Sequence, residues 1–297
     1  MNSQKRLIPR MQTSNALILN FTPTGMIPTK AMTPHVPVSV SEIVEQVCAA
    51  AEVGITLTHL HARDEESGEP TWRPEIYARI LEGIRKFHPE IPLCLSLSGR
   101  NFNEFEKRSA AIELMPDMGS LTLSSLNFTK QASVNAPDMI VQLVEKMTKF
   151  GVHPELEAFD LGMIHFGRYL IGKNKIQPPF YWNIIAGNIA GMQDSPAELG
   201  LAVSLLPEGS YWAFGGIGRQ QLSANAQAIA TGGGVRVGLE DNIYFDQERN
   251  TLATNIQLVQ RIHELAHLHG RSIMQPQTFG ELGFYNKLAR PPHNLLL

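Results

Sequence analysis

The stretch Ile55-Thr56-Leu57-Thr58-His59-Leu60-His61-Ala62-Arg63-Asp64 decides the fold: it is a strand signal running into a polar turn, and the amphipathic run Pro74 to Phe87 follows it at helical period. Reading outward in both directions, the same unit recurs eight times. Strands are read near Ala16 to Phe21, Ile55 to Ala62, Leu93 to Ser98, Ser120 to Ser124, Glu155 to Phe159, Tyr181 to Ala186, Tyr211 to Gly215 and Val235 to Leu239. Helices are read at Val40 to Ala51, Pro74 to Phe87, Phe102 to Leu114, Ala136 to Phe150, Ile164 to Gly172, Ser195 to Leu205, Gln220 to Thr231 and Thr251 to His269. Eight consecutive βα units are best satisfied by a closed barrel, because an open parallel sheet of that width leaves edges unpaired. The expected fold is α/β, a single-domain (β/α)8 TIM barrel over residues 1–297, with residues 1–12 and 271–297 as terminal extensions. The apolar end Leu295-Leu296-Leu297 is expected either to pack on a neighbouring subunit or to fray.

With 297 residues, 43% hydrophobic and 18% charged, the chain can bury a large core, which excludes disorder and fibrous folds. Lys and Arg number 25 against 28 Asp and Glu, so the net charge of -3 offers no basic excess for a phosphate backbone, and no nucleic-acid partner is expected. Nothing approaches the roughly 18 apolar residues of a membrane span. The run Ala16-Leu17-Ile18-Leu19 behind Lys5, Arg6 and Arg10 is too short for a secretory leader, so a cytoplasmic protein is expected. Cys48 and Cys94 sit in apolar runs and read as reduced core thiols.

Active sites of such barrels form at the C-terminal ends of the strands, so polar residues there carry a functional reading. His59 and His61 are two apart on strand two and point the same way, and two imidazoles in register are costly to bury without a shared partner. Strand eight ends in Arg236-Val237-Gly238-Leu239-Glu240-Asp241, which puts Arg236 and Glu240 on one face. His59, His61 and Glu240 form a His₂Glu set with an open position, the donor chemistry of a catalytic Zn²⁺. Asp241 is left as a base or as an orienter for Arg236, and Glu157 on strand five as a second acid or base. Ser96, Ser98, Ser120, Thr122 and the Gly99 backbone are positioned to take a substrate carboxylate. His263-Glu264-Leu265-Ala266-His267 is a literal H-E-x-x-H, but it falls on the last outer helix, away from the strand tops, and Ile273 stands where the extended motif needs a third His.

The pieces Thr24-Gly25, His59-Leu60-His61-Ala62-Arg63-Asp64, Leu126-Asn127-Phe128, Pro154-Glu155-Leu156-Glu157, Gly216-Ile217-Gly218-Arg219 and Gly233-Gly234-Val235-Arg236-Val237-Gly238-Leu239-Glu240-Asp241-Asn242 together resemble the β-keto acid cleavage enzymes, nearly end to end from Leu17 to Gly270. The resemblance implies a cytoplasmic homo-oligomer, a tetramer, that condenses a β-keto acid with acetyl-CoA to give acetoacetate and a new acyl-CoA. It implies Zn²⁺ on His59, His61 and Glu240, a substrate carboxylate held by Ser96, Gly99, Ser120 and Thr122, and catalysis by Asp241, Arg236 and Glu157. Ser120 and Thr122 depart conservatively from the Thr and Asn of the lysine-fermentation member. That member also binds a substrate ammonium with a Glu where this chain has Ile27, so a neutral, aliphatic β-keto acid is expected here. Arg219 and Arg100 are the candidates for the phosphates of CoA. The alternative reading is a zinc-dependent hydrolase of the amidohydrolase type, which also opens with His-x-His but usually draws further His and Asp ligands from later strands. A scaffold protein without activity is a third.

Overall fold

Strands β1 (Leu19–Phe21), β2 (Leu57–Leu60), β3 (Leu93–Leu95), β4 (Met118–Thr122), β5 (His153–Ala158), β6 (Phe180–Ala186), β7 (Ser210–Gly216) and β8 (Gly234–Val237) run parallel and close on themselves, β1 pairing with both β2 and β8. The structure is a computed structural model and describes residues 15–290; the expected extension 1–12 and the end Leu295-Leu296-Leu297 lie outside the described residues. Around the barrel stand α1 (Val40–Val53), α2 (Pro74–Phe87), α3 (Phe105–Ser109, continuing as the 3₁₀ turn Ala110–Leu114), α4 (Pro137–Lys149), α5 (Leu161–Gly172), α6 (Pro196–Leu205), α7 (Gln220–Ala230) and α8 (Asn255–Leu268). This is the (β/α)8 barrel expected from the periodicity. No helix among the described residues is long and apolar enough to cross a membrane.

The strand alternation divides the barrel into layers. Outward-facing residues such as Leu60, Leu156, Ile184 and Val237 pack under the helices. Inward, the lowest layer is apolar: Ile18, Leu57, Cys94, Met118, Tyr181 and Ala213 meet Met274, Phe279 and Phe284 from the C-terminal segment. Phe279 and Phe284 stack with centroids 4.3 Å apart and make T-shaped contacts with the Tyr181 ring at 5.4 and 6.2 Å. Asp117 anchors this segment, accepting from Asn286 N at 3.1 Å and Arg290 Nη2 at 2.6 Å. The expected C-terminal extension thus closes the N-terminal end of the barrel.

Strand eight stops at Val237, short of the expected Leu239, because the chain must pass the neighbouring strand there: a Cβ on Gly238 would come within 2.0 Å of the Thr22 carbonyl oxygen. Two hairpins that the periodicity does not announce, Ala62–Arg63 with Pro70–Thr71 and Leu126–Asn127 with Ala132–Ser133, rise from the tops of β2 and β4.

Candidate active site

Above the apolar layer the interior turns polar, and the inward positions of β1, β2, β5, β6 and β8 carry Asn20, His59, Glu155, Asn183 and Arg236, all buried. Glu155 is the hub. Its Oε1 accepts from Asn20 Nδ2 at 2.7 Å and Asn183 Nδ2 at 2.6 Å, and its Oε2 lies 2.5 Å from His59 Nδ1. An ionised carboxylate only accepts, so Nδ1 carries the proton and the lone pair of the neutral ring sits on Nε2. Burial disfavours a charge on His59, but Glu155 and Glu240 overcome that and push its pKa up to about 9, the response of a site that favours positive charge.

His59 Nε2 lies 3.2 Å from His61 Nε2, which lies 3.2 Å from Glu240 Oε1. With His59 neutral, as a metal ligand must be, His61 Nε2 has an acceptor on either side and at most one proton to offer them. Ligands about 2.0–2.1 Å from a tetrahedral Zn²⁺ stand roughly 3.3 Å apart, close to both spacings. Glu240 Oε2 is buried with no hydrogen-bond partner among the described residues. The donor set therefore fits a small divalent cation, with Glu155 fixing the His59 ring from behind. His59, Cys94 and Glu155 form a second group at metal-ligand distance, but there Glu155 is already taken by two asparagines and the His59 proton, and burial holds the Cys94 thiol protonated.

Arg236 organises the acids beside this set. Its Nη2 donates to Glu240 Oε1 at 2.6 Å, its Nε to Asp241 Oδ2 at 2.9 Å, and its Nη1 stands 3.9 Å from Glu157 Oε1. Burial raises the Asp241 carboxyl above its ordinary pKa against the pull of Arg236, and the neighbouring Glu240 charge adds to the rise. Burial also raises Glu157, whose Oε2 accepts from Thr122 Oγ1 at 2.7 Å. Both carboxyls are thereby moved toward the range in which a general base works at neutral pH.

These groups form the floor of a cavity of about 680 Å³ lined also by Ser96, Ser98 and Thr122, with Met26, Ile27, Pro28 and Met32 on the β1 side. Ile27 stands at the mouth, 51% exposed. Ser120 and Gly99 lie just behind the wall. The Ser120 hydroxyl accepts from Leu97 N at 3.0 Å, and Gly99 sits where a Cβ would meet Arg108 Nη1 at 2.7 Å. Buried Arg108 donates to Leu97 O at 3.0 Å and Asn135 Oδ1 at 2.8 Å, tying the β3 top to the β4 hairpin. Buried Arg63 plays the same part on the β1 side, donating to the carbonyls of Gly25, Pro28 and Gly68. It holds Gly25 so close to Glu240 that a Cβ would clash at 2.3 Å. Glu155, Asn20, Asn183, Arg63 and Arg108 are site residues that the strand-top reading passes over; for Asn20, Glu155 and Asn183 the available signal is a polar residue at inward parity in a barrel strand, while Arg63 in the β2 hairpin and Arg108 on α3 carry no such signal.

The helical H-E-x-x-H builds nothing comparable. His263 Nε2 lies 2.8 Å from the Gly54 carbonyl at the end of α1, and His267 is exposed. His165, which an amidohydrolase-type reading would want at a strand top, is exposed on α5. Arg219 is exposed beside the cavity and is not among its lining residues, whereas Arg100 is.

Fold and site together define a barrel of the enzyme type, with buried titratable groups gathered at the strand tops. The chain belongs to the β-keto acid cleavage enzyme family, whose profile matches residues 16–282. It is 36% identical over 86% of its length to the 3-oxoadipate:acetyl-CoA acetyltransferase of Cupriavidus necator, covering 90% of that protein. It is 34% identical over 90% of its length to the 3-keto-5-aminohexanoate cleavage enzyme of Acetoanaerobium sticklandii, covering 97% of it. The solved complex of ObcA with oxaloacetate shares the fold, with a TM-score of 0.74 at 19% identity over 86% of this chain and 69% of that one.

Proposed function

We propose that this protein condenses a β-keto acid with acetyl-CoA, giving acetoacetate and a new acyl-CoA, with His59, His61 and Glu240 holding a Zn²⁺. The observation that carries this reading is the meeting of that donor set with the Arg236–Asp241 pair on one cavity floor. Relatives named as acetyl-CoA transferases of β-keto acids support it. When bound, the cation polarises the keto and carboxylate oxygens and acidifies the methylene between them.

Asp241, aligned by Arg236, takes a proton from that C2 methylene. The C2 carbanion forms a bond to the acetyl carbon of acetyl-CoA and expels CoA thiolate. The thiolate adds to the original keto carbon, and breaking the bond from that carbon to C2 releases the new acyl-CoA. Acetoacetate leaves after its C2 recovers the proton from Asp241. Arg236 remains cationic throughout, since the acids around it outweigh the cost of its burial, and it steadies the carboxylates as their charges change. Ser96 and Thr122 stand at the wall where the substrate carboxylate lies, with the Gly99 backbone and Ser120 behind them. Glu157, raised by burial and bonded to Thr122, serves as a second proton carrier. Met26, Ile27 and Met32 offer no counter-ion to a substrate ammonium, so the substrate tail is neutral and aliphatic. The reading includes a cytoplasmic homo-oligomer, a tetramer by the family resemblance, which light scattering checks.

The test is a panel of β-keto acids of graded side-chain charge, with acetoacetate formation followed with and without acetyl-CoA. Product only with acetyl-CoA supports the reading. Hydrolysis that proceeds without CoA would replace it with the hydrolase alternative.

A further inference from the structure

Charge in the cavity is sorted by depth. On the floor every acid has a donor: Glu240 and Asp241 on Arg236, Glu157 on Thr122. At the rim the reverse holds, because Arg100, Lys130 and Arg249 line the cavity and none forms an ion pair with an acid among the described residues.

These cations are held in place. The Arg100 guanidinium lies 3.7 Å above the Phe128 ring, which makes a T-shaped contact with Phe159, and its Nε is buried without a hydrogen-bond partner among the described residues. Gln131 Nε2 donates to Arg100 O at 3.2 Å and Asn101 Oδ1 at 3.1 Å, which docks the β4 hairpin, with Lys130 at its turn, onto the β3 loop. Arg249 approaches from the β8–α8 loop, 5.5 Å over Tyr244, with its Nη2 only 2.6 Å from where a Cβ on Gly218 would be. Of the acids beside it in that loop, Asp246 is committed to the backbone N–H groups of Asn250 and Thr251, and Glu248 forms no ion pair among the described residues. Arg249 and Gly218 belong to the loops after β8 and β7, where barrels commonly receive phosphate.

A cavity with proton-transfer groups below and uncompensated cations above suits an elongated ligand, reactive at one end and polyanionic at the other. We propose that Arg100, Lys130 and Arg249 form a phosphate-binding rim for the nucleotide end of acetyl-CoA, and that Arg219, outside the cavity, takes no part. The proposal rests on the acyl-transfer reading above and names the residues that recognise its co-substrate.

The test compares acetyl-CoA with S-acetyl-pantetheine, which lacks all the phosphates, on wild type and on Arg100→Gln, Lys130→Gln, Arg249→Gln and Arg219→Gln. With acetyl-CoA, the Arg100 and Arg249 variants should raise its KM about tenfold and the Lys130 variant about twofold, while kcat and the KM of the keto acid stay within about twofold. With S-acetyl-pantetheine the three should match wild type, and Arg219→Gln should match it with both donors. Arg100→Lys, which keeps the charge but loses the planar stack, should fall between Arg100→Gln and wild type. Equal losses with both donors, or a rise in the KM of the keto acid instead, would overturn the rim and assign Arg100 to the substrate tail. Unchanged KM values in all three rim variants would overturn it while leaving acyl transfer intact. A wild type with no acetyl-CoA-dependent turnover would remove both.

Discussion

His59 on β2 and His61 just past its end stand two apart in extended chain, His263 and His267 four apart on a helix, and either spacing puts both imidazoles on one face. The first pair points into an enclosed space where β5 supplies Glu155 and the loop after β8 supplies Glu240, from 96 and 179 residues away. The helical pair lies on the outer ring, where His263 closes the end of α1 through the Gly54 carbonyl and His267 faces solvent. Spacing alone is therefore permissive. A site is made by where a closed barrel gathers its strand ends, which no local motif encodes.

Separate substitutions in the two stretches test this contrast most severely. His61→Ala should lose the bound zinc and lower turnover by about 10³-fold or more, whereas His263→Ala should keep both. Elemental analysis of the two purified variants reads this directly, and zinc lost from the His263 variant alone would reverse the assignment. Next in size, Asp241→Asn should retain the metal yet lose about 10²–10⁴-fold in kcat, with solvent exchange at substrate C2 in D₂O disappearing alongside. Undiminished exchange would move the base to Glu157.

Glu155 sharpens the comparison, since among the described residues no carboxylate pairs with His263 or His267. Glu155→Gln should weaken zinc binding by about 10–100-fold in a chelator competition, with the fold preserved by circular dichroism. At the cavity mouth, Ile27→Glu should shift the kcat/KM ratio of a 5-amino to a neutral β-keto acid by roughly tenfold toward the amine. A wild type that already prefers the amine would discard the inference from Ile27. The smallest effect belongs to the helix: His263→Ala should cost only about 1 kcal/mol through the lost bond to Gly54, seen as a drop of a few degrees in Tm with activity unchanged.

Periodicity made the barrel legible, and α2 falls on the expected Pro74 to Phe87. Strand parity likewise puts His59 and His61 on one face and Arg236 and Glu240 on another, all turned toward the barrel interior. Parity could not reveal Glu155 as the partner of His59, because the pairing runs across the barrel between β2 and β5, which are not neighbours in the sheet. Nor could it place Arg249 or Lys130, since loop residues have no period and their position depends on what they dock against, Gly218 in one case and the β3 loop in the other.

The seal that Phe279 and Phe284 set beneath Tyr181 bears on kinetics as well as stability. With that end closed among the described residues, reactants and products share the mouth at the strand tops, and whatever reacts on the floor must enter before a long thioester occupies the rim. Turnover should then be ordered, the keto acid binding first and acetoacetate leaving last, with excess acetyl-CoA inhibiting by occupying the entrance of the empty enzyme.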